Sequence, residues 1–168
     1  MAVKYWPVAV VKDVKNYPFL TKGISANNIG SGDAKLPVAT LRKPERLCQE
    51  QLIASLFAAG HRFLSKPYQI IFLLTPLPEQ VPVQMMVSVS RRRFPRAVDR
   101  NRIKRHIREA YRKHKHELYT YLEQNQLQLA LAIVYTGRSV TTFNETENKI
   151  PVALSLIIQR LAEHSNKS

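Results

Sequence analysis

Val87-Ser-Val-Ser-Arg-Arg-Arg-Phe-Pro-Arg-Ala-Val-Asp-Arg-Asn-Arg-Ile-Lys-Arg-His-Ile-Arg-Glu-Ala-Tyr111 begins as a strand and ends as a helix. Its first residues alternate apolar with polar, the period of a half-buried strand. Arg91–Arg96 cannot continue that strand into a core, because the run is basic and Pro95 breaks the ladder pattern. Asp99 is placed to cap a helix from the N-terminal side. From Arg100 to about Leu122 the period becomes helical. At 100° per residue, Ile103, Ile107, Ala110, Tyr111, His114 and Leu118 fall within an arc of about 100°, and Lys104, Arg105, Arg108, Arg112, Lys113 and Lys115 occupy most of the opposite side.

The same stretch concentrates the charge. The chain of 168 residues carries a formal net charge of +14. Between Arg91 and Lys115 there are twelve Lys or Arg against two acids, Asp99 and Glu109, a net +10 that leaves +4 for the other 143 residues. Like charges packed so closely repel, and a polyanion relieves them. Charge runs are usually solvated helix faces. Here carboxylates at i±4 are almost absent and like-charged neighbours destabilise the free helix, so solubility alone is a weak explanation. A membrane surface fits less well than nucleic acid, because the apolar stripe is needed for the core and is not free to insert. A regulator that places this helix in the DNA major groove would need a compact second helix one turn away, and none is legible.

Working outward, Pro44 suits the first turn of a helix, with Leu47, Leu52, Ile53, Leu56 and Phe57 near one face and Gly60 as its stop. Tyr68–Leu74 reads as a strand between Pro67 and Pro76, and Val83–Ser90 as a second. A further short strand fits around Arg62–Ser65. Leu127–Tyr135 reads as a buried strand ended by Gly137. Ile150, Leu154, Ile157, Ile158 and Leu161 mark a last helix, with Pro151 tolerable only near its start. The order α-β-β-(β)-α-β-α without strict alternation predicts an α+β fold, a two-layer α/β sandwich with a mixed sheet. Residues 1–39 read as a separate N-terminal extension, turn-rich at Gly23–Asp33, mobile, with one strand-like run at Val8–Val11. Residues 40–168 form the folded domain.

Hydrophobic residues make up 45% of the chain, enough for a core. Cys48 is the one cysteine, which excludes an internal disulfide framework and a cysteine-based zinc site; it reads as a small apolar packing residue. No apolar stretch reaches the roughly 18 residues that span a bilayer, and the N-terminus lacks signal-peptide order. A cytoplasmic protein is the simplest expectation. His106, His114 and His116 lack the i, i+4 spacing of a metal pair, and two acids surrounded by arginine do not suggest a two-metal nuclease. No catalytic residue and no protein-bound metal is predicted, and no membrane or protein partner is indicated.

Charge does not separate RNA from DNA; a resemblance does. The strand ending Ser88-Val-Ser, the basic pair Arg91-Arg92, the triplet Arg100-Asn101-Arg102 and the following Ile103-Lys104-Arg105 resemble the signature of the bacterial ribonuclease P protein component family. Arg46-Leu47 and Leu56-Phe57-Ala-Ala-Gly60 resemble that family's first helix, and the likeness covers about residues 41–163. It implies an accessory subunit of a ribonucleoprotein endoribonuclease whose catalyst is RNA. The basic helix would then lie in a left-handed β-α-β crossover, against the usual hand. The implied partners are ribonuclease P RNA and precursor tRNA, and the implied cofactor is Mg²⁺ held mainly by the RNA. Arg91, Arg92, Arg100, Asn101, Arg102, Lys104, Arg105 and Arg108 are the implied RNA-binding residues, with Asn101 favoured as a turn-positioning residue through side-chain to backbone bonds. The resemblance also implies a cleft for the single-stranded 5′ leader, for which Phe57, Tyr68 and Phe72 are the aromatic candidates; Ile53 stands where many members carry another aromatic. Arg93-Phe94-Pro95-Arg96 departs from the commonest Gly-Asn form of the connection. The alternative is a non-catalytic structural RNA-binding protein, ribosome-associated or an assembly factor.

Overall fold

The computed structural model describes residues 41–165, and at their centre two apolar strands lie side by side. β2 (Tyr68–Leu74) and β4 (Leu129–Tyr135) pair antiparallel from Tyr68↔Tyr135 to Leu74↔Leu129. Runs of this kind, apolar on both parities, bury both faces of a sheet. The expected short strand forms as β1 (His61–Ser65), an antiparallel edge on β2. β3 (Val83–Val89) forms the other edge, parallel to β4, so the sheet is mixed in the order β1-β2-β4-β3.

Four helices cover this sheet: α1 (Glu50–Ala59), α2 (Ala97–His114), α3 (His116–Gln124) and α4 (Phe143–Ser165). Since β3 and β4 run parallel, the chain between them must cross over the sheet, and that crossover carries α2 and α3. Residue parity divides the core. Tyr68, Ile70, Phe72, Leu129, Leu131, Ile133 and Tyr135 pack with Ile103, Ile107 and Tyr111 of α2 and Ile150, Leu154 and Ile157 of α4. The opposite parity, Ile71, Ala130 and Ala132, packs with Leu56 of α1 and with Leu47 and Leu77. The α+β sandwich expected from the sequence is thus present, with α1 lying across the second face. The expectations placed on residues 1–39, including the run Val8–Val11, lie outside the described residues.

Four local expectations need correction. Pro44 opens a 3-10 turn, Lys43–Glu45, not α1. The chain after it is extended, Leu47 N–H donating to Met85 O at 3.0 Å beside the bridge Arg46↔Met85, and α1 starts only at Glu50. The basic helix starts at Ala97, so Asp99 lies in its first turn and is not its cap; the cap position is Arg96, without a capping side chain. It also does not run to Leu122, because the helix breaks at Lys115 between α2 and α3. α4 begins at Phe143, well before Pro151. There Thr142 N–H donates to Glu145 Oε2 (3.0 Å) and Glu145 N–H to Thr142 Oγ1 (3.3 Å), a reciprocal cap that starts a helix whatever follows. Gly60 does end α1, but with φ −69° it is extended and not left-handed. A Cβ there would stand 2.3 Å from Leu56 O and 2.9 Å from Ile71 Cγ2, so the requirement for glycine is close approach.

Candidate nucleic-acid interface

The inner face of α2 is completely buried at Ile103, Ile107, Ala110 and Tyr111. That burial fixes the helix, and α2 has no freedom to turn its other face inward. The loop before it is held equally firmly. Phe94 is buried with its ring centroid 5.7 Å from that of Tyr135, and its N–H donates to Ser90 O at 3.0 Å. Arg93 donates to Thr136 O, tying the loop to the chain that follows β4. Arg91 and Arg92 are left exposed on this anchored loop.

The cations of the run then separate into two groups. Toward the C-terminal end each finds a carboxylate: Arg112 with Glu109 at 2.5 Å, Lys113 with Glu147 at 2.7 Å, and Lys115 with the buried Glu45. The Arg112 guanidinium, hydrogen-bonded to Glu109, holds that carboxyl below the usual range. By contrast, Arg91, Arg92, Arg96, Arg102, Lys104, Arg105 and Arg108 meet no carboxylate within 4 Å among the described residues. All are exposed except Lys104, which is half-buried. The N-terminal half of α2 and its loop therefore present uncompensated charge on a rigid support. Beside it, Arg105, His106, Glu109, Lys113 and Phe143 line an open groove of about 460 Å³ between α2 and α4.

Two residues of the predicted set behave differently. Arg100 is half-buried, and its Nη1 donates to Phe94 O (2.7 Å) and Pro95 O (2.6 Å), so it braces the loop from inside. Asn101 is exposed within α2 and makes no side-chain hydrogen bond among the described residues, so the turn-positioning role favoured for it is not there. Helix α2 had already begun four residues before it, leaving no turn to position.

The predicted aromatic cleft residues are not brought together. Phe57 is half-buried on α1 and packs against the sheet face that also holds Leu73, Met86 and Val134, with Leu52 and Ile53 beside it on the helix. Tyr68 and Phe72 do not share the α1 face with Phe57: they are 0% and 1% exposed, and they point to the opposite face, toward α2 and α4. The Tyr68 hydroxyl donates to Thr146 Oγ1 at 3.1 Å, and burial raises its pKa. Their shared parity was legible in the sequence; which parity faces α1 was not. Cys48, expected to pack, is exposed. His106 is half-buried with Nδ1 3.1 Å from Thr141 O, and the His114 Nε2 atom is buried without a partner.

A polar cluster that no local pattern announces joins distant segments. Glu45 is 6% exposed. It accepts from Lys115, from the Tyr119 hydroxyl at 2.9 Å, and from Arg42 N–H at 2.7 Å, while Tyr111 donates to Tyr119. Glu45 and Lys115 lie 70 residues apart, and no local pattern connects them. No group of three His, Cys, Asp or Glu that could hold a metal occurs among the described residues, and no described helix is long and apolar enough to cross a membrane.

Fold and charge together define a small α+β domain that presents a rigid, uncompensated basic face. The family model for Ribonuclease P matches residues 41–152. The ribonuclease P protein component of Porphyromonas gingivalis strain W83 is 34% identical over 118 residues, covering 70% of this chain and 86% of that protein. That of Chlorobium phaeobacteroides is 37% identical over 110 residues, covering 61% and 75%. The fold is similar to the solved RNase P proteins of Staphylococcus aureus (TM-score 0.53, 20% identity, 67% of this chain and 94% of that one) and Thermotoga maritima (0.50, 17%, 66% and 94%). The chain belongs to the ribonuclease P protein family and is an accessory subunit of that ribonucleoprotein endoribonuclease of tRNA processing.

Proposed function

We propose that the chain binds the ribonuclease P RNA through the exposed N-terminal half of α2 and the Arg91-Arg92 loop, and receives the 5′ leader of precursor tRNA along the α1 face of its sheet. The observation that carries this reading is the division of the basic run, in which Arg91 through Arg108 lack carboxylates and Arg112 through Lys115 have them. Guanidinium forks pair two phosphate oxygens at once, and each phosphate neutralised releases counterions. On the other face, Phe57 offers a ring for one unpaired base, and Ile53, Leu73, Met86 and Val134 offer an apolar floor.

Hydrolysis of the phosphodiester belongs to the RNA, and Mg²⁺ in this reading sits on RNA phosphates. The described residues bring no ligand set together for it. The protein's part is electrostatic and steric: its cations lower phosphate repulsion near the reacting bond, and the cleft keeps the leader extended. Mixing the protein with its cognate catalytic RNA at low magnesium tests this directly. Precursor cleavage should rise; no gain rejects the proposal. Comparing the binding of precursor with and without its leader to the complex tests the cleft, and equal affinities would favour a purely structural RNA-binding role.

A further inference from the structure

The outermost line of α2 is not made of charge alone. With Ile103, Ile107, Ala110 and Tyr111 turned inward, a rotation of about 100° per residue puts Val98 and Arg105 at the crown of the helix and Asn101 close beside them. Val98 is 76% exposed, the most exposed large apolar side chain among those described. A lone exposed valine is ordinary on a protein surface. This one lies between cations, next to an exposed asparagine with no bonding partner among the described residues. Neither side chain has anything to offer a phosphate as strong as its charged neighbours.

Arg105 lies in this line, and Arg102, Lys104 and Arg108 flank it. Arg102 is turned about 120° from Arg108 and about 160° from Lys104, on opposite sides of a cylinder about 10–12 Å across. One sugar-phosphate strand passing along the helix cannot meet both flanks. Beyond Arg108 the exposed charge ends, because Glu109, Glu147 and Glu45 neutralise the following cations.

We infer that the N-terminal half of α2 seats between two backbone strands of the folded RNA, with Arg102 on one and Lys104 with Arg108 on the other. Val98 and Asn101 then rest on the sugar and base-edge surface between them. This rests on the RNA-binding reading above and adds the shape of the partner. The wide, shallow groove of A-form RNA shows 2′-hydroxyls and base edges; the Asn101 amide, both donor and acceptor, matches a hydroxyl, and Val98 loses water against a ribose face.

The test measures affinity for the cognate catalytic RNA across a salt series. Val98→Ala keeps a good helix former at an exposed position, so the fold stands. It should weaken binding about 5-fold at every salt concentration with the slope of log K against log salt unchanged, because no phosphate contact is lost. Arg102→Ala and Lys104→Ala should each flatten that slope by about 0.7–0.9. Iron chelates tethered to Arg102→Cys and to Lys104→Cys, in a Cys48→Ser background, should cut two separate RNA strands. Wild-type affinity for Val98→Ala, a changed slope for it, or cuts along one continuous strand would overturn the inference. Failure of the unmodified protein to bind the RNA would instead remove the reading beneath it.

Discussion

Arg100 and Arg108 look alike in the sequence and do different work in the fold. Arg100 spends its guanidinium on Phe94 O and Pro95 O, while Arg108 faces solvent without a carboxylate among the described residues. Arg100→Ala should therefore cost about 1 kcal/mol of stability in urea unfolding, the loss of charged hydrogen bonds to carbonyls that can still reach water. Lys104→Ala with Arg108→Ala should leave the unfolding midpoint almost unchanged. The pair should weaken binding to the catalytic RNA and flatten its salt slope by about 1.4–1.8, two phosphates' worth. If the double variant unfolds, the helix face is misplaced. Composition could find this charge, since twelve cations in one window announce themselves. It could not separate brace from contact, because that depends on which carbonyls and carboxylates the fold brings within reach.

Among the elements, the α2–α3 junction is where prediction and structure part most. Hydrophobic periodicity runs unbroken from Ile103 through Leu118, and a continuous helix was its natural reading. The break falls at Lys115, whose ammonium meets Glu45 in a nearly dry site with side-chain exposures of 12% and 8%. A buried pair contributes little compared with an apolar one, but losing one member leaves a charge stranded. Glu45→Ala should thus destabilise the domain by about 3–5 kcal/mol, read as a shifted denaturant midpoint with an unchanged m-value. Retention of wild-type stability would show that water reaches Lys115. The early start of α4 was open to discovery, since Thr142-x-x-Glu145 is a capping box in plain view. Pro151 is tolerated far inside α4.

For the whole molecule, the tyrosines make a prediction about alkaline pH. Desolvation by burial raises the phenol pKa of Tyr68, Tyr111 and Tyr119 above the ordinary value of 10.0. A group that holds its proton more tightly in the folded state contributes stability that is full below its unfolded pKa. That stability is lost as pH rises past it, because the unfolded chain ionises first. The domain should lose stability progressively above about pH 10, and absorbance at the tyrosinate band should rise for these residues only together with unfolding. Ionisation of all tyrosines with the fold intact, seen by far-ultraviolet circular dichroism, would contradict this placement of the core.

The amino-acid sequence alone determined the order of strands and helices, apart from the α2–α3 break, and the location of the charge. Period-2 and period-3.6 patterns depend only on neighbours along the chain, and so does the excess of arginine between Arg91 and Lys115. Strand existence, the basic helix and the family signature all follow from such local order. Tertiary structure decided what depends on distant neighbours: that Tyr68 and Phe72 face α2 and α4 and not α1, that Arg100 turns back on its loop, and that Glu45 takes Lys115 out of the uncompensated basic face. A strand's parity sorts its side chains onto two sides, but only the packing of helices on the finished sheet says which helix each side meets.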